Sequence, residues 1–195
     1  MEHGKSIFSR LLCKELARRQ QKTLLIDFDT YNQSISTIYN VFNKKVDYEE
    51  IRNNIIKISN YENLLFVREE FVKSNKIFPL IKELEKEYDE IIIDTGGNYQ
   101  TINNKRILEV SDEIIFVIVP NAIDLKKAIK IYEILRIEYN IPNEKIKIAI
   151  NKVNKYSIDI LIIREIFKFN EIKGEIKYND QIEKITKGKD IKINL

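Results

Sequence analysis

Short runs of consecutive apolar residues alternate along the chain with segments whose apolar residues recur every three or four positions. The runs are rich in Ile, Val and Leu, which is typical of strands that are covered on both faces of a parallel sheet. The pattern predicts six strands: Thr23–Phe28, Asn63–Val67, Glu90–Asp94, Glu113–Val119, Lys145–Ile150 and Glu171–Ile176.

The segments between these runs have the period of amphipathic helices. The clearest case follows residue 123, where Leu125, Ala128 and Tyr132 share one helical face. The pattern predicts seven helices: Ile7–Gln21, Tyr48–Ile58, Ser74–Glu87, Ile102–Val110, Ile123–Tyr139, Ile158–Phe167 and Asp180–Lys187.

The regular alternation of strands and helices predicts an α/β fold. We expect a three-layer sandwich with a mostly parallel sheet and right-handed crossovers. No stretch rich in Gly, Pro or Ser divides the sequence, so residues 1–195 are predicted to form a single domain. In such a fold, ligands bind beyond the carboxyl ends of the strands.

Composition narrows the classes of function. A hydrophobic fraction of 44% indicates a folded chain, and a net charge of +3 is too small to indicate a nucleic-acid partner. Cys13 is the only cysteine, which excludes an internal disulfide, and we predict a buried, inert thiol. No apolar run approaches the roughly 20 residues of a membrane span, so we expect a cytoplasmic protein.

Residues 4–6 (Gly-Lys-Ser) have the form of the end of a phosphate-binding loop. In such a loop, backbone N–H groups wrap a phosphate, the Lys neutralises the β/γ-phosphates and the Ser binds Mg²⁺. Three residues recur easily by chance. Their weight comes from two strands with acidic ends, which carry Asp27, Asp29 and Asp94.

Each of these carboxylates has two interpretations. Asp94 has the form of a Walker B acid that holds Mg²⁺ opposite Ser6, and Asp29 could orient a water beside the γ-phosphate. Asp27 lies two residues before Asp29, on the same side of the strand. The alternative is that these carboxylates only cap the turns that follow, where Asp is common.

The order of these motifs resembles the deviant-Walker ATPases of the ParA/MinD type. The resemblance covers nearly the whole chain and rests on GKS (4–6), LIDFD (25–29), YDEIIIDT (88–95), SDEIIFVIVP (111–120), AINKV (149–153) and GEIKYND (174–180) followed by Gly188. Within that family, residues 125–135 and the carboxy-terminal part look most like the TadZ/CpaE branch, which helps localise Flp/Tad pilus machinery.

The resemblance implies a P-loop NTPase that uses ATP and Mg²⁺. Gly4, Lys5 and Ser6 would bind the phosphates, with Lys5 also taking part in catalysis. Asp29 would position the hydrolytic water, and Asn151 would recognise adenine.

The resemblance also assigns the metal ligands. Ser6 and Asp94 would hold Mg²⁺, with Asp27 supporting the ion. Positioning a water in line and neutralising phosphate charge are the core of phosphoryl transfer.

Residues 151–154 (Asn-Lys-Val-Asn) also resemble the Asn-Lys-x-Asp motif that reads guanine in GTPases. In that motif the Asp accepts two hydrogen bonds from the base. Asn154 offers only one acceptor oxygen, so adenine is favoured.

The sequence also departs from the family pattern. Met1 and Glu2 stand where the first two glycines of the loop belong, and the signature lysine and the strand before the loop are not in the sequence. We therefore expect a fold that lacks its first strand and an amino-terminally truncated chain with an incomplete Walker A motif. Whether such a chain hydrolyses ATP stays open.

By resemblance, the chain would dimerise on ATP to position cellular machinery such as Flp/Tad pilus components or partitioned DNA. It would reach a membrane or cell pole through a protein partner. Arg10, Lys14 and Arg18 form a basic stripe that could touch DNA, although a solvated face is favoured.

Two other functions compete with this one. The first is a catalytically inactive, truncated homologue that acts as an interaction module. The second is synthetase chemistry such as cobyrinic acid amidation, which needs an additional substrate domain for which 195 residues leave no room.

Overall fold

The computed structural model describes residues 4–41, 45–97 and 101–180. Their contacts divide them into two compact units. The amino-terminal unit contains residues 5–97, and the carboxy-terminal unit contains Gly4 and residues 101–180.

The described residues form α-helices and strands in alternation. The helices are α1 Lys5–Arg18, α2 Ser34–Ile38, α3 Glu69–Lys73, α4 Ile77–Leu84, α5 Ile102–Val110, α6 Ala122–Glu133 and α7 Ile160–Ile166. The strands are β1 Thr23–Asp27, β2 Ile55–Lys57, β3 Glu62–Phe66, β4 Glu90–Asp94, β5 Ile114–Ile118, β6 Ile146–Val153 and β7 Ile172–Lys177.

The sheet of the amino-terminal unit has the strand order β2-β3-β1-β4. Strands β3, β1 and β4 are parallel, and β2 pairs antiparallel with β3. All five residues of β1 are buried, and it is an interior strand between β3 and β4. The register pairs Asp27 with Phe66 on one neighbour and with Asp94 on the other, so the carboxyl ends of the three parallel strands are level.

The sheet of the carboxy-terminal unit is parallel, with the order β5-β6-β7. Its middle strand is irregular near its end, where the register to β7 shifts between Ile150 and Val153. Lys152 lies inside this shift with a left-handed backbone (φ 62°), which is uncommon for a residue with a side chain. The bulge bends β6 at Asn151 and Lys152, just before the strand ends at Val153.

Each unit has its own apolar core. In the amino-terminal unit, Cys13 on α1 packs with Leu25, Ile35, Leu64 and Phe66. The Cys13 side chain is fully buried, as predicted, and burial raises the pKa of its thiol to about 12. The core of the carboxy-terminal unit consists of buried side chains from β5, β6 and the helices α6 and α7.

The predicted fold class is confirmed, because the protein has an α/β fold with mostly parallel sheets. The six predicted strands are all present. Their bounds differ from the prediction by at most one residue at each end, except that β6 continues to Val153. None of the helices in the described residues is long and apolar enough to cross a membrane.

The predicted helix Tyr48–Ile58 is wrong. A short 3-10 helix occupies Ile51–Asn54 and leads directly into β2. The Asn54 side chain bonds to the backbone of Asp47 and Ile51, and such side-chain bonds compete with helical hydrogen bonding. The β-branched Ile55 and Ile56 then pair with β3.

Other helix predictions differ in extent. The predicted helix Ser74–Glu87 is confined to α4, and a left-handed Asn75 separates α4 from α3, which was not predicted. The predicted helix Ile123–Tyr139 begins as α6 and continues as a π-helix over Ile134–Glu138. The α2 helix was not predicted, and nearly all of the predicted helix Asp180–Lys187 lies outside the described residues.

Candidate functional site

The start of α1 and the carboxyl ends of β1 and β4 meet at one edge of the amino-terminal sheet. Lys5 is the first residue of α1, so its side chain adds to the partial positive charge of a helix N-terminus. Its Nζ lies 3.9 Å from the position that a Cβ on Gly97 would occupy. A cation and open backbone N–H groups at the same place suit a phosphate.

Asp94 at the end of β4 is bonded to two hydroxyls of α1. Ser9 Oγ donates a hydrogen bond of 3.1 Å to Asp94 Oδ1, and the Ser6 side chain also bonds to this carboxylate. Ser6 and Ser9 lie three residues apart, on the same face of the helix. Burial, with a smaller contribution from the nearby Asp27, raises the pKa of Asp94 to about 6.

Asp27 at the end of β1 is fully buried beside Asp94. Its Oδ2 accepts hydrogen bonds from the backbone N–H of Ser36 at 2.8 Å and from Ser36 Oγ at 2.7 Å. Burial raises the pKa of this carboxyl as well. Asp27 therefore anchors α2 with one of its two oxygens.

The remaining oxygens of these two carboxylates show whether the residues of this site fit a metal ion. Asp27 Oδ1 and Asp94 Oδ2 are buried and have no hydrogen-bond partner. Buried carboxylate oxygens without a partner are costly in a protein interior, and a divalent cation would satisfy them. Together with the Ser6 hydroxyl they form the kind of all-oxygen set that Mg²⁺ prefers, so the residues fit the ion.

Mg²⁺ usually keeps several waters and binds few protein side chains. Within residues 4–41, 45–97 and 101–180, no group of three or more His, Cys, Asp or Glu side chains could hold a metal ion. A site of one hydroxyl and two carboxylates, completed by water and phosphate, agrees with both points.

Asp29 lies two residues beyond the end of β1 and caps the turn that follows. Its Oδ1 accepts from the N–H groups of Tyr31 at 3.2 Å and Asn32 at 3.1 Å, and its Oδ2 accepts from Asn32 Nδ2 at 3.1 Å. A Cβ on Gly96 would lie 3.1 Å from this carboxylate. The structure thus gives Asp29 the turn-capping contacts of the alternative interpretation, at the same edge as Asp94.

Asn151 belongs to the carboxy-terminal unit, at the bulge of β6. It is 6% exposed, and its Oδ1 accepts from the N–H of Lys152 at 2.9 Å. Gly4 has φ 77°, and a Cβ there would lie 2.0 Å from Asn151 Nδ2. Only glycine allows this approach.

The Asn154 side chain makes hydrogen bonds within its own turn. Its Nδ2 donates to the carbonyl of Lys152 at 3.1 Å, and its Oδ1 accepts from the N–H of Tyr156 at 2.8 Å. Both polar atoms of the Asn154 side chain are therefore engaged within residues 152–156.

The basic stripe on α1 is partly engaged within the protein. Arg10 stacks on Tyr39, with its Cζ 5.3 Å from the ring centroid, and Arg18 bonds to Glu15 at 2.9 Å. These contacts leave less of the stripe available to a nucleic acid than its sequence spacing indicates.

Replacing Gly4 with Ala tests the close approach to Asn151. Because the left-handed backbone is unfavourable for Ala by roughly 1–2 kcal/mol, we expect Gly4→Ala to lower the free energy of unfolding by about that amount. It should also displace the Asn151 side chain. Gly174→Ala is the matched control, because a Cβ there meets no atom within 4 Å. Equal stability of the two variants in urea unfolding would contradict the close approach.

Several residues of the site were not predicted. Ser9 lies three positions after Ser6, and this spacing is the signal that could have identified it. Ser36 had no local signal, since only the fold brings it to Asp27. Met1, Glu2 and Gly188 lie outside the described residues.

The first helix begins with Lys-Ser and faces two buried carboxylates at the ends of neighbouring parallel strands. This arrangement is typical of the P-loop NTPase class of α/β proteins. Comparison with known families narrows this class. The chain belongs to the CobQ/CobB/MinD/ParA nucleotide-binding domain family, whose model matches residues 2–191.

Solved structures of that family share the fold. The cell division protein MinD from Aquifex aeolicus is similar with a TM-score of 0.75 and 21% identity, over 96% of this chain and 83% of that one. MinD from Pyrococcus horikoshii, complexed with Mg-ADP, gives 0.77 and 18%, over 95% and 81%. A plasmid partition protein from Borrelia burgdorferi bound to AMPPNP gives 0.72 and 23%, over 99% and 88%. No curated protein matches the sequence.

Proposed function

We propose that the protein is an ATP-binding switch that hydrolyses ATP with Mg²⁺. The observation that carries this proposal is the pair of buried carboxylate oxygens without a partner, Asp27 Oδ1 and Asp94 Oδ2, beside the start of α1. Two neighbouring buried carboxylate oxygens are rarely left unsatisfied in a site that serves stability alone.

In this proposal each residue has one role. Lys5 and the first N–H groups of α1 bind the β/γ-phosphates, and Asn151 recognises the adenine base. Ser6, Asp27 and Asp94 hold Mg²⁺, which neutralises phosphate charge when it is bound. The Asp29 carboxylate orients the attacking water.

The family supports a nucleotide as the ligand. Two of the similar structures contain Mg-ADP and AMPPNP. Another is a complex of McdA with ATP from Cyanothece. The family model also describes a nucleotide-binding domain, and it covers nearly the whole chain.

We propose further that ATP promotes a homodimer that positions a partner at a membrane or cell pole. A structure of the MinC:MinD complex is among the similar ones, so this fold does recruit protein partners. The sequence resemblance to the TadZ/CpaE branch favours Flp/Tad pilus components as the machinery, with partitioned DNA as the other candidate.

A catalytically inactive interaction module is the second candidate, and one observation favours it. Within the described residues, the Asp29 carboxylate accepts its hydrogen bonds from its own turn, as expected for a purely structural cap.

Lys5→Ala tests the nucleotide site. We expect Mg-ATP binding, measured by calorimetry, to weaken by about a hundredfold or more, because a charge-assisted phosphate contact is lost. Lys82→Ala removes an exposed lysine of α4 in the same unit and should bind like the unaltered protein. Absence of Mg-ATP binding by the unaltered protein would refute the proposed function.

Asp29→Asn then separates the switch from the inactive module. Asn preserves the Oδ1 that accepts from the backbone N–H groups of Tyr31 and Asn32, so Mg-ATP binding should persist. Loss of the carboxylate should reduce turnover by about a hundredfold. Turnover that is absent in the unaltered protein despite tight binding would favour the interaction module.

A further inference from the structure

We propose that Arg68 is a positioning residue for Asp29 and acts through Gln33. This inference rests on the proposed function, in which Asp29 orients water for ATP hydrolysis. It concerns the turn that carries Asp29, and no sequence motif points to Arg68.

Arg68 stands at the same edge of the sheet as Asp29. Phe66 pairs with Asp27 in the parallel register, and Arg68 and Asp29 each follow two residues later. The backbone there is fixed from both sides. Val67 N–H donates to the Asp27 carbonyl at 2.9 Å, and the Arg68 carbonyl accepts from Phe71 N–H at 3.0 Å at the start of α3.

The guanidinium of Arg68 is held in one orientation. Its Cζ lies 5.0 Å from the ring centroid of Phe66, which is itself buried. Arg68 Nη1 donates a hydrogen bond of 3.1 Å to Gln33 Oε1, and its buried Nε has no partner. A planar guanidinium stacked on a ring holds its direction better than a flexible ammonium does.

Gln33 needs such support because of its backbone. It lies in the left-handed region (φ 43°, ψ 46°) immediately before α2, which is unfavourable by roughly 1–2 kcal/mol for a residue other than glycine. Its N–H donates to the Asp29 carbonyl at 2.9 Å and closes the turn. The same turn supplies the Tyr31 and Asn32 N–H groups that aim the Asp29 carboxylate.

The contacts therefore form a sequence from Arg68 to Gln33, from Gln33 to the turn, and from the turn to the Asp29 carboxylate. Loss of the first contact should loosen the turn and misdirect Asp29, while the phosphate contacts of Lys5 are unaffected. The competing interpretation is that Arg68 only packs on Phe66. In that case Gln33 is irrelevant to the effect of Arg68.

A double-mutant cycle distinguishes these interpretations. Arg68→Met retains an aliphatic side chain over Phe66, and Gln33→Gly keeps the left-handed backbone while removing the acceptor. We expect each variant to lower kcat for ATP about tenfold with KM within about twofold, because misplacement of a reacting group affects the chemical step. The kcat of the double variant should fall no further than that of the less active single variant.

Gln33→Glu is the conservative variant, which keeps an acceptor for Arg68. A carboxylate accepts the Arg68 hydrogen bond with added charge, so kcat should stay near that of the unaltered protein. An additive double variant, or an unchanged kcat in Arg68→Met while the unaltered protein hydrolyses ATP, would overturn the proposal.

A second readout does not depend on hydrolysis. The sequence contains no Trp, and Tyr31 in the turn is 87% exposed, so Tyr31→Trp creates a single reporter. In this background Arg68→Met and Gln33→Gly should each lower the Trp fluorescence anisotropy, whereas Lys82→Ala should not. If the anisotropy falls in both variants but the unaltered protein shows no ATP turnover, Arg68 still positions the turn and the proposed function is refuted. If the anisotropy is unchanged in both variants, the role of Arg68 is refuted.

Discussion

Replacing Asp94 with Asn is expected to stabilise the nucleotide-free protein at neutral pH while abolishing Mg²⁺-dependent ATP turnover. Burial raises the pKa of Asp94 from its ordinary 3.8 to about 6 in the folded state. The folded protein therefore favours the neutral acid. Asn resembles that neutral form and retains an oxygen that can accept from Ser9.

The sign follows from proton binding. Below pH 3.8 the carboxyl is protonated in both states and does not affect the free energy of unfolding. Between 3.8 and about 6 the folded state holds a proton that the unfolded state has lost, so stability falls as pH rises. Above this range the loss reaches about 3 kcal/mol, and Asp94→Asn should recover a large part of it.

Urea unfolding with EDTA at several pH values measures this effect. The gain of Asp94→Asn should be largest above the raised pKa and vanish in acid. Asp112→Asn, at an exposed position, is the matched control and should leave the pH dependence unchanged. A variant that is less stable than the unaltered protein at neutral pH would contradict the argument.

Leu25→Ala is expected to destabilise the amino-terminal core strongly. Leu25 lies fully buried in β1 and packs with Cys13 and Phe66. Truncation of such a side chain leaves a cavity and lowers the free energy of unfolding by roughly 3–5 kcal/mol.

Thiol labelling reads this loss directly. Cys13 is the only cysteine, it is fully buried, and its raised pKa keeps it protonated near neutral pH. Labelling therefore requires opening of the core, and Leu25→Ala should accelerate it strongly. Leu161→Ala removes the same side chain where it is 70% exposed, and its labelling rate should match that of the unaltered protein. Equal labelling rates in the two variants would show that Leu25 does not stabilise this core.

The sequence pattern predicted the strands well because they are continuous apolar runs with few alternatives. Predicted and observed bounds coincide for Glu90–Asp94, and the fold class followed from the alternation of elements. The helix predicted at Tyr48–Ile58 failed because the Asn54 side chain bonds to nearby backbone, the Asn53 side chain bonds to the Asp47 carboxylate, and the Ile pair that follows fits a strand. Periodicity alone does not register such side-chain competition.

The site was only partly predictable. Lys5, Ser6, Asp27 and Asp94 carry local motifs, and the parallel register brings the two carboxylates side by side. Arg68 carries no motif. It reaches Gln33, 35 positions earlier in the chain, only because β3 pairs with β1. Contacts of this kind depend on register and turn geometry, which the apolar pattern does not specify.

Asp27 and Asp94 each have one buried oxygen without a partner, so the stability of the folded protein should depend on whether a cation is bound there. A cation that binds only the folded state adds stability in proportion to the logarithm of its concentration over its dissociation constant. Ligand-free copies would then open most often and be cut first by a protease. Digestion time courses with and without Mg²⁺ would therefore report how many molecules are loaded, even in a mixture where no turnover is measured.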